Sequence, residues 1–282
     1  MTYWSAELAD FRSYLSAHPG HDYRDWQPTK WQSLLTVCDL LTGLDGVGSA
    51  LELGCGSATL LTQLQAAGVD CVGVDRDPVA LELAEQAAAT LGTPAPRLVS
   101  ADFDDDAVTA GLAPADLVFH IGVIEHFEPE RQRAFLELSA AKSKRWVLVA
   151  VPNEHGAVFR SFLRTVTVEG RVYEDSHEEI SVPDLASAAG LRLVAEDGAH
   201  LFFGRAKYYN AGDRELDALY ETLADRLRKA DSERYGDFPR RDFTAADIET
   251  LRAAEEFVSR ETRLRCGFLR YYLLEKQAGD VD

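Results

Sequence analysis

The chain has 282 residues, of which 46% are hydrophobic, and a formal net charge of −18. Its length suits either one large α/β domain or a domain with an appended cap, and its hydrophobic content is sufficient for a full core. The acidity disfavours nucleic acids and anionic membranes as partners, because Lys and Arg supply most of the affinity for phosphate groups.

Three further features bear on where the protein works. No apolar run approaches the roughly 20 residues that span a bilayer. The first residues contain neither the basic nor the apolar region of a signal peptide. The four cysteines show no paired spacing, which is typical of reduced thiols, so we expect a cytoplasmic protein.

Residues 1–45 form a leader before the first predicted strand. Trp4, Leu8, Phe11 and Leu15 recur at helical spacing, and a second periodic run covers residues 34–41. An irregular segment rich in aromatic residues separates the two runs. The pattern predicts a helical cap on the N-terminal side of the main domain.

A strand, a glycine turn and a helix follow the leader. Residues 50–53 favour a strand buried on both faces, Gly54 and Gly56 interrupt it, and the helical pattern beyond them ends at Gly68. Glycines at this turn would let backbone N–H groups face a ligand without a Cβ in the way. Asp75 ends the next apolar run, where its carboxylate can accept hydrogen bonds from both hydroxyls of a ribose. The arrangement predicts a nucleoside site.

The type of nucleoside depends on the residues around the glycines. The third glycine of a dinucleotide fingerprint is replaced by Thr59, and the chain contains no Gly-Lys-Ser/Thr triplet of a P-loop. Glu52 precedes the glycines, and the pattern Glu52-x-Gly54-x-Gly56 with Asp75 downstream resembles motif I of class I S-adenosylmethionine-dependent methyltransferases. A glycine turn in an ordinary α/β domain is the alternative interpretation.

The resemblance extends along the chain. Asp102 follows the third predicted strand, residues 96–101, at the position that reads adenine in this family, although the acidic run behind it also suits a solvated strand end. The fourth strand and its exit, Asp116 to His126, are similar to motif IV of the small-molecule branch. A Val-Pro-Asn at the end of the fifth strand, residues 144–151, also recurs in that branch.

The resemblance implies a doubly wound, mostly parallel, seven-stranded Rossmann-like sheet with S-adenosylmethionine as cofactor and no metal. The cofactor contacts that it implies are Glu52, Gly54, Cys55, Gly56, Asp75, Arg76, Asp102, Phe103, Ile121 and Gly122. Methyl transfer needs a base only when the nucleophile carries a proton that must leave early. His126 and His155, just beyond strands four and five, are the candidate bases, with His177 and His200 as further options. A lone histidine is more often structural.

The chain departs from the minimal family pattern after the sixth strand, which is predicted at residues 191–195. The last strand is predicted at residues 266–274, and residues 208–262 form a helical insert before it. The predicted organisation is a leader at 1–45, a cofactor-binding core at 46–207, the insert at 208–262 and a last strand with a tail at 263–282. The insert is either a lid and substrate wall or a dimerisation element.

We expect the insert and the leader to wall the acceptor pocket together. The candidate substrate contacts are the aromatic residues Trp26, Trp31, Tyr208, Tyr209 and Phe238, although packing of the leader onto the core is the more common role for any one of its tryptophans. These residues suit a small aromatic or apolar acceptor of the natural-product type. A protein acceptor and a non-catalytic nucleoside-binding regulator remain the alternatives, and a homodimer through the insert stays open.

Overall fold

The computed structural model describes residues 3–102, 105–168, 180–202, 212–238 and 242–277. Seven strands form one sheet in the order β3-β2-β1-β4-β5-β7-β6. The strands are β1 Ser49–Leu53, β2 Asp70–Asp75, β3 Arg97–Ser100, β4 Ala115–Ile121, β5 Ser143–Pro152, β6 Leu191–Ala199 and β7 Leu269–Lys276.

The sheet is mixed. Strands β1 to β5 pair in parallel, whereas β7 is antiparallel to both of its neighbours, β5 and β6. Because β5 and β6 are each antiparallel to β7, they run in the same direction. The ends of β1, β4, β5 and β6 therefore share one edge of the sheet, called here the carboxyl edge, and β7 begins there. The Rossmann-like fold predicted from the sequence is confirmed, with one reversed strand.

Helices cover both faces of the sheet. They are α1 Tyr3–Ala17, α2 Tyr23–Trp26, α3 Pro28–Thr42, α4 Thr59–Ala66, α5 Pro78–Leu91, α6 Asp106–Gly111, α7 Pro129–Lys142, α8 Ala157–Val168, α9 Val182–Ala188, α10 Arg214–Ala230, α11 Ile248–Glu256 and α12 Arg260–Cys266. Helices α3, α4 and α5 contribute to the core on one face, and α7 and α9 contribute to the core on the other. In the part of the chain that is described, no helix has the length and apolarity needed to cross a membrane.

Local sequence signals explain where several helices begin and end. The Asp77 carboxylate accepts a hydrogen bond from the Val79 N–H at 2.9 Å and Pro78 occupies the first turn, so α5 begins after Asp77. Gly92 ends α5 in the left-handed conformation, with φ 64°. A capping box of Thr244 and Asp247 leads into α11.

The leader packs on α5 through its own aromatic cluster. Leu8, Phe11 and Tyr23 form a buried group with Leu83 and Ala87 of α5. Hydrogen bonds from the α1 residue Arg12 to two side chains of α5 hold the exposed side of this contact. The leader is therefore an integral layer of the fold.

Helices α10, α11 and α12 lie between β6 and β7 in the chain and share a separate apolar cluster. This cluster joins them to the first turn of α8 and to Leu201 and Phe202 after β6. Asn153 at the end of β5 donates from Nδ2 to the Leu264 carbonyl at 2.7 Å, which ties α12 to the carboxyl edge. The leader is tied to the same helices by the hydrogen bond from the Ala245 N–H to Asp25 Oδ1 at 3.0 Å.

Candidate active site

The glycine turn that follows β1 closes on the end of the neighbouring strand, β2. The N–H groups of Gly54 and Cys55 both donate to the Val74 carbonyl, at 2.8 and 3.0 Å, and the Gly56 N–H donates to Asp75 Oδ2 at 2.8 Å. Gly54 and Gly56 adopt φ values of 77° and 50°, which residues with a Cβ rarely adopt. These three N–H groups, which we expected to face a ligand, are already used inside the protein. The glycines instead allow the positive φ values of the turn and leave room for other groups to approach the backbone closely.

Asp75 is held at the tip of β2 by two backbone groups. Its Oδ2 accepts from Gly56, and its Oδ1 accepts from the Asp77 N–H at 2.9 Å. The side chain is 9% exposed. Each carboxylate oxygen can accept a second hydrogen bond, so a fixed and pre-oriented carboxylate remains available for a diol.

Glu52 is a buried acid without a partner on one oxygen. The residue is 4% exposed, and Oε2 has no hydrogen-bond partner among the residues that the structure describes. Burial raises the pKa of Glu52 well above its ordinary value; the positive charge of Lys30 opposes this shift and Asp75 adds to it. A buried acceptor of this kind is suited to a cationic or N–H donor supplied by a ligand.

The leader contacts the glycine turn at several points. Lys30 Nζ lies 2.9 Å from Ser57 Oγ, and the Tyr23 hydroxyl lies 2.9 Å from Thr59 Oγ1. The Trp4 ring packs directly against Gly56, since a Cβ built on that glycine would lie 2.5 Å from a ring carbon. Sequence reasoning missed Trp4 and Lys30 as site residues. Their positions in the sequence carried no signal, because the contacts link residues far apart in the chain.

Cys55 points away from the open side of the turn. It is 5% exposed, and its Sγ is 2.9 Å from where a Cβ on Gly73 would lie, beneath the sheet. Burial raises the pKa of the Cys55 thiol, and the neighbouring Glu52 and Asp75 raise it further. The side chain is therefore a neutral core group, and only its backbone belongs to the turn.

The tips of β2 and β3 meet beside Asp75. The Ala101 N–H donates to the Asp75 carbonyl at 3.0 Å, which places Asp102 next to the predicted ribose position. Arg76, exposed, lies 3.7 Å from the Asp102 carboxylate. Phe103, predicted to line the base, lies outside the described residues.

The exit of β4 forms the other end of the site. Gly122 has φ 69° and its N–H donates to the Ala150 carbonyl at 2.9 Å, so it continues the edge beside the partly buried Ile121. Glu125 is buried, with its Oε1 3.5 Å from where a Cβ on Gly122 would lie. Glu125 was not among the predicted site residues.

The candidate histidines fall into different environments. His126 and His155 are exposed beyond β4 and β5. His200, at the end of β6, is buried with φ 62°, and its N–H donates to Ser33 Oγ of α3 at 2.9 Å. Burial, aided by the charge of Lys30, lowers the pKa of His200 to about 3. His177 lies outside the described residues.

The aromatic residues predicted to contact substrate are mostly packed against protein. Trp26 and Trp31 are partly buried beside the leader cluster. Phe238 is 4% exposed, with its ring among Phe202, Tyr220 and Phe243. Their roles in the pocket stay predictions, and this packing does not favour Phe238. Tyr208 and Tyr209 lie outside the described residues.

A family model described as a methyltransferase domain matches residues 50–143, the segment from β1 to the start of β5. This segment holds Glu52, both site glycines, Asp75, Asp102 and Gly122. Residues 50–143 are a methyltransferase domain, and the protein is an S-adenosylmethionine-dependent methyltransferase. The hydrogen-bond acceptors of this methyltransferase fit its cofactor: Glu52 presents a buried oxygen without a partner among the described residues, and Asp75 presents a fixed carboxylate suited to a diol. No group of three or more His, Cys, Asp or Glu side chains suited to a metal ion occurs among the described residues.

Solved structures share the fold of the methyltransferase at low identity. A chain of the complex between the Haloferax volcanii Trm112 methyltransferase activator and a methyltransferase is 15% identical, with a TM-score of 0.54, over 99% of this chain and 98% of that one. Magnesium protoporphyrin IX methyltransferase from Synechocystis PCC 6803 with bound SAH is 18% identical, with a TM-score of 0.47, over 62% and 79%. The cyclopropane synthase MmaA2 from Mycobacterium tuberculosis is 16% identical, with a TM-score of 0.48, over 86% and 84%. A search of curated protein sequences found no significant match.

Proposed function

We propose that this methyltransferase transfers the methyl group of S-adenosylmethionine to an O, N or C nucleophile of a small aromatic or apolar molecule. The observation that carries the proposal is the position of the first turns of α3. Lys30 of α3 contacts Ser57 after β1, and Ser33 of α3 accepts from the His200 N–H after β6. The first turns of α3 therefore contact the chain just after β1 and just after β6, at the carboxyl edge.

The helices between β6 and β7 are joined to the leader. Gln32 of α3 donates from Nε2 to Glu255 Oε2 of α11 at 2.5 Å, and Arg252 of α11 forms an ion pair with Asp39. Two joined segments around an acceptor site would suit a small molecule that enters whole better than a polymer that must lie across the surface. We therefore assign the insert at 208–262 and the leader at 1–45 to the walls of the acceptor pocket.

The chemistry places modest demands on the protein. The cofactor supplies an activated methyl group, and in-line displacement at that carbon needs the nucleophile held close and aligned. Glu52, Asp75 and Asp102 would hold the amino, ribose and adenine groups, and Ile121 with Gly122 would border the sulfur. His126 and His155 are proposed as proton acceptors for nucleophiles that must lose a proton, and their exposure gives them a route to solvent.

The four cysteines support a cytoplasmic location. Cys38, Cys55, Cys71 and Cys266 are all free and buried. Buried reduced thiols are typical of a reducing compartment.

Labelled methyl transfer tests the proposal. The purified protein is incubated with S-adenosylmethionine carrying an isotope-labelled methyl group, together with a small-molecule extract and, separately, a protein extract. We expect the label in an apolar or aromatic small molecule, with none transferred by Gly54→Val, because a side chain there intrudes on the cofactor. Label found only in protein would show that the acceptor is a protein and not a small molecule. Tight cofactor binding without transfer to either extract would favour a non-catalytic regulator.

A further inference from the structure

Lys30 is a partly buried cation near two acidic residues, Glu7 and Glu52. Its Nζ lies 2.9 Å from Ser57 Oγ, directly after the glycine turn. Among the residues that the structure describes, no carboxylate oxygen lies within 4.0 Å of the Lys30 ammonium. Glu7 and Glu52 are nonetheless near enough for its charge to lower the pKa of each against the larger effect of burial. The ammonium can therefore still accept an anionic partner.

The glycine turn provides little else to bind an anion. The N–H groups of Gly54, Cys55 and Gly56 are used by the Val74 carbonyl and the Asp75 carboxylate, and the Ala58 N–H donates to the Cys55 carbonyl at 2.7 Å. Acids surround this turn, including Glu52 and Asp75. A bound carboxylate would be repelled here unless a cation stood beside it. Lys30 is placed to be that cation.

The charges of Lys30 and Glu52 suit an amino-acid zwitterion. Glu52 offers a buried oxygen without a partner to a ligand ammonium, and Lys30 offers donors to a ligand carboxylate. We propose that Lys30 binds the α-carboxylate in the methionine portion of the cofactor, with Ser57 fixing the lysine in position. The assignment rests on the cofactor of the proposed function and names a residue of the leader as part of its site. A carboxylate on the acceptor is the other source of the same chemistry, and the test separates the two.

Two ligands isolate the carboxylate. S-Adenosylhomocysteine carries both the ammonium and the carboxylate, whereas its decarboxylated form, S-adenosyl-3-thiopropylamine, keeps only the ammonium. Calorimetric titration gives the affinity of wild type and Lys30→Met for each. We expect Lys30→Met to weaken S-adenosylhomocysteine binding about 10- to 100-fold, as for loss of a charge-assisted hydrogen bond. The affinity for the decarboxylated ligand should not fall.

Matched variants make the result specific. Lys30→Arg keeps the charge and should retain most of the preference for the carboxylate. Lys229→Met removes an exposed lysine that pairs with Asp225 in α10, and should change neither affinity. Thermal unfolding of each variant reports whether the fold is intact.

The contrary outcomes are distinct. Equal weakening of both ligands by Lys30→Met would show that Lys30 only shapes the turn, and overturns the proposal. Unchanged binding of both ligands would also overturn it and would assign the lysine to an anionic acceptor or to no ligand. If the wild-type protein does not bind S-adenosylhomocysteine, the proposed methyltransferase function is itself contradicted. The affinity of wild type therefore tests the function, and the ratio between the ligands tests Lys30.

Discussion

Asp75 combines two tasks in one carboxylate. It closes the glycine turn through the Gly56 N–H and caps the next turn through the Asp77 N–H, and its remaining lone pairs face the predicted ribose. We expect Asp75→Ala to weaken S-adenosylmethionine binding by on the order of 2–4 kcal/mol, as for two charge-assisted hydrogen bonds. Calorimetry measures this loss. Unchanged affinity would contradict the ribose assignment.

Asp75→Asn is the matched variant for that measurement. An amide keeps one acceptor oxygen for the backbone but loses the charge and half of the accepting capacity. We expect an intermediate affinity and a smaller loss of thermal stability than in Asp75→Ala, since the alanine leaves the N–H groups of Gly56 and Asp77 without their acceptor. Circular dichroism melting curves distinguish the two variants.

Gly56 and Gly92 allow the packing of Trp4 to be separated from backbone strain. Both have positive φ, 50° and 64°, but a Cβ on Gly56 would meet the Trp4 ring at 2.5 Å, whereas nothing lies within 4 Å of one on Gly92. Left-handed backbone alone costs an alanine roughly 1–2 kcal/mol. We expect urea denaturation to show a larger loss for Gly56→Ala than for Gly92→Ala, and this excess to shrink in a Trp4→Ala background. Equal losses of unfolding free energy in Gly56→Ala and Gly92→Ala would show that α1 can shift away from the new methyl group without destabilising the protein.

At the scale of elements, Glu255 and Gln32 form the buried link between α11 and α3. The side chains that face Glu255 are the Gln32 amide, Arg263 of α12 and Asp197 of β6. Burial raises the pKa of Glu255 from 4.5 to about 7, while Gln32 and Arg263 oppose the rise and Asp197 adds to it. The folded protein therefore binds this proton more tightly than the unfolded chain does.

The raised pKa of Glu255 makes the stability of the folded protein depend on pH. The stabilisation from protonated Glu255 is fully present below about pH 4.5 and is lost as the pH rises through about 7. Each tenfold difference in proton affinity corresponds to about 1.4 kcal/mol. We expect the unfolding temperature of Glu255→Gln to fall less than that of wild type between these pH values. Glu249→Gln, on the exposed side of α11, is the control and should follow wild type.

The sequence predicts best the parts of the site that are local. Glu52, the glycines and Asp75 lie on two paired strands and the turn between strand and helix, so spacing alone places them together. Asp77, Gly92 and the Thr244 capping box each act within one turn of the chain, so signals of this kind can be read from the local sequence. The reversed strand β7 and its register against β5 depend on packing across the whole sheet, beyond the reach of local pattern.

The leader shows why long-range contacts are harder to predict. Trp4 stands in a helical pattern in which many residues look alike, and Lys30 stands in the irregular segment between the two patterns. Neither setting tells which residue faces the glycine turn. The aromatic residues Trp26 and Trp31 were conspicuous in the sequence, yet they lie beside the leader cluster. The aromatic residues of the leader therefore predicted that it packs near the site, but they did not identify the side chains that contact the glycine turn.

For the molecule as a whole, the chain brings three distant regions to one edge. The leader, the turn after β1 and the helices before β7 are joined through Lys30–Ser57, Asp25–Ala245 and Gln32–Glu255. Because these contacts are mutual, loosening any one region reduces the support for the other two. The catalytic core segment matched by the family model is thus completed by chain outside it on both sides.

The packing of Trp4 on Gly56 bears on how fast the cofactor binds and leaves. The Trp4 ring covers Gly56, so we expect a cofactor that binds at the glycine turn to contact this ring. If α1 must shift before the spent cofactor can leave, product release rather than methyl transfer sets the rate of repeated cycles. One aromatic side chain far in sequence from the glycine turn would then control how long the cofactor stays bound.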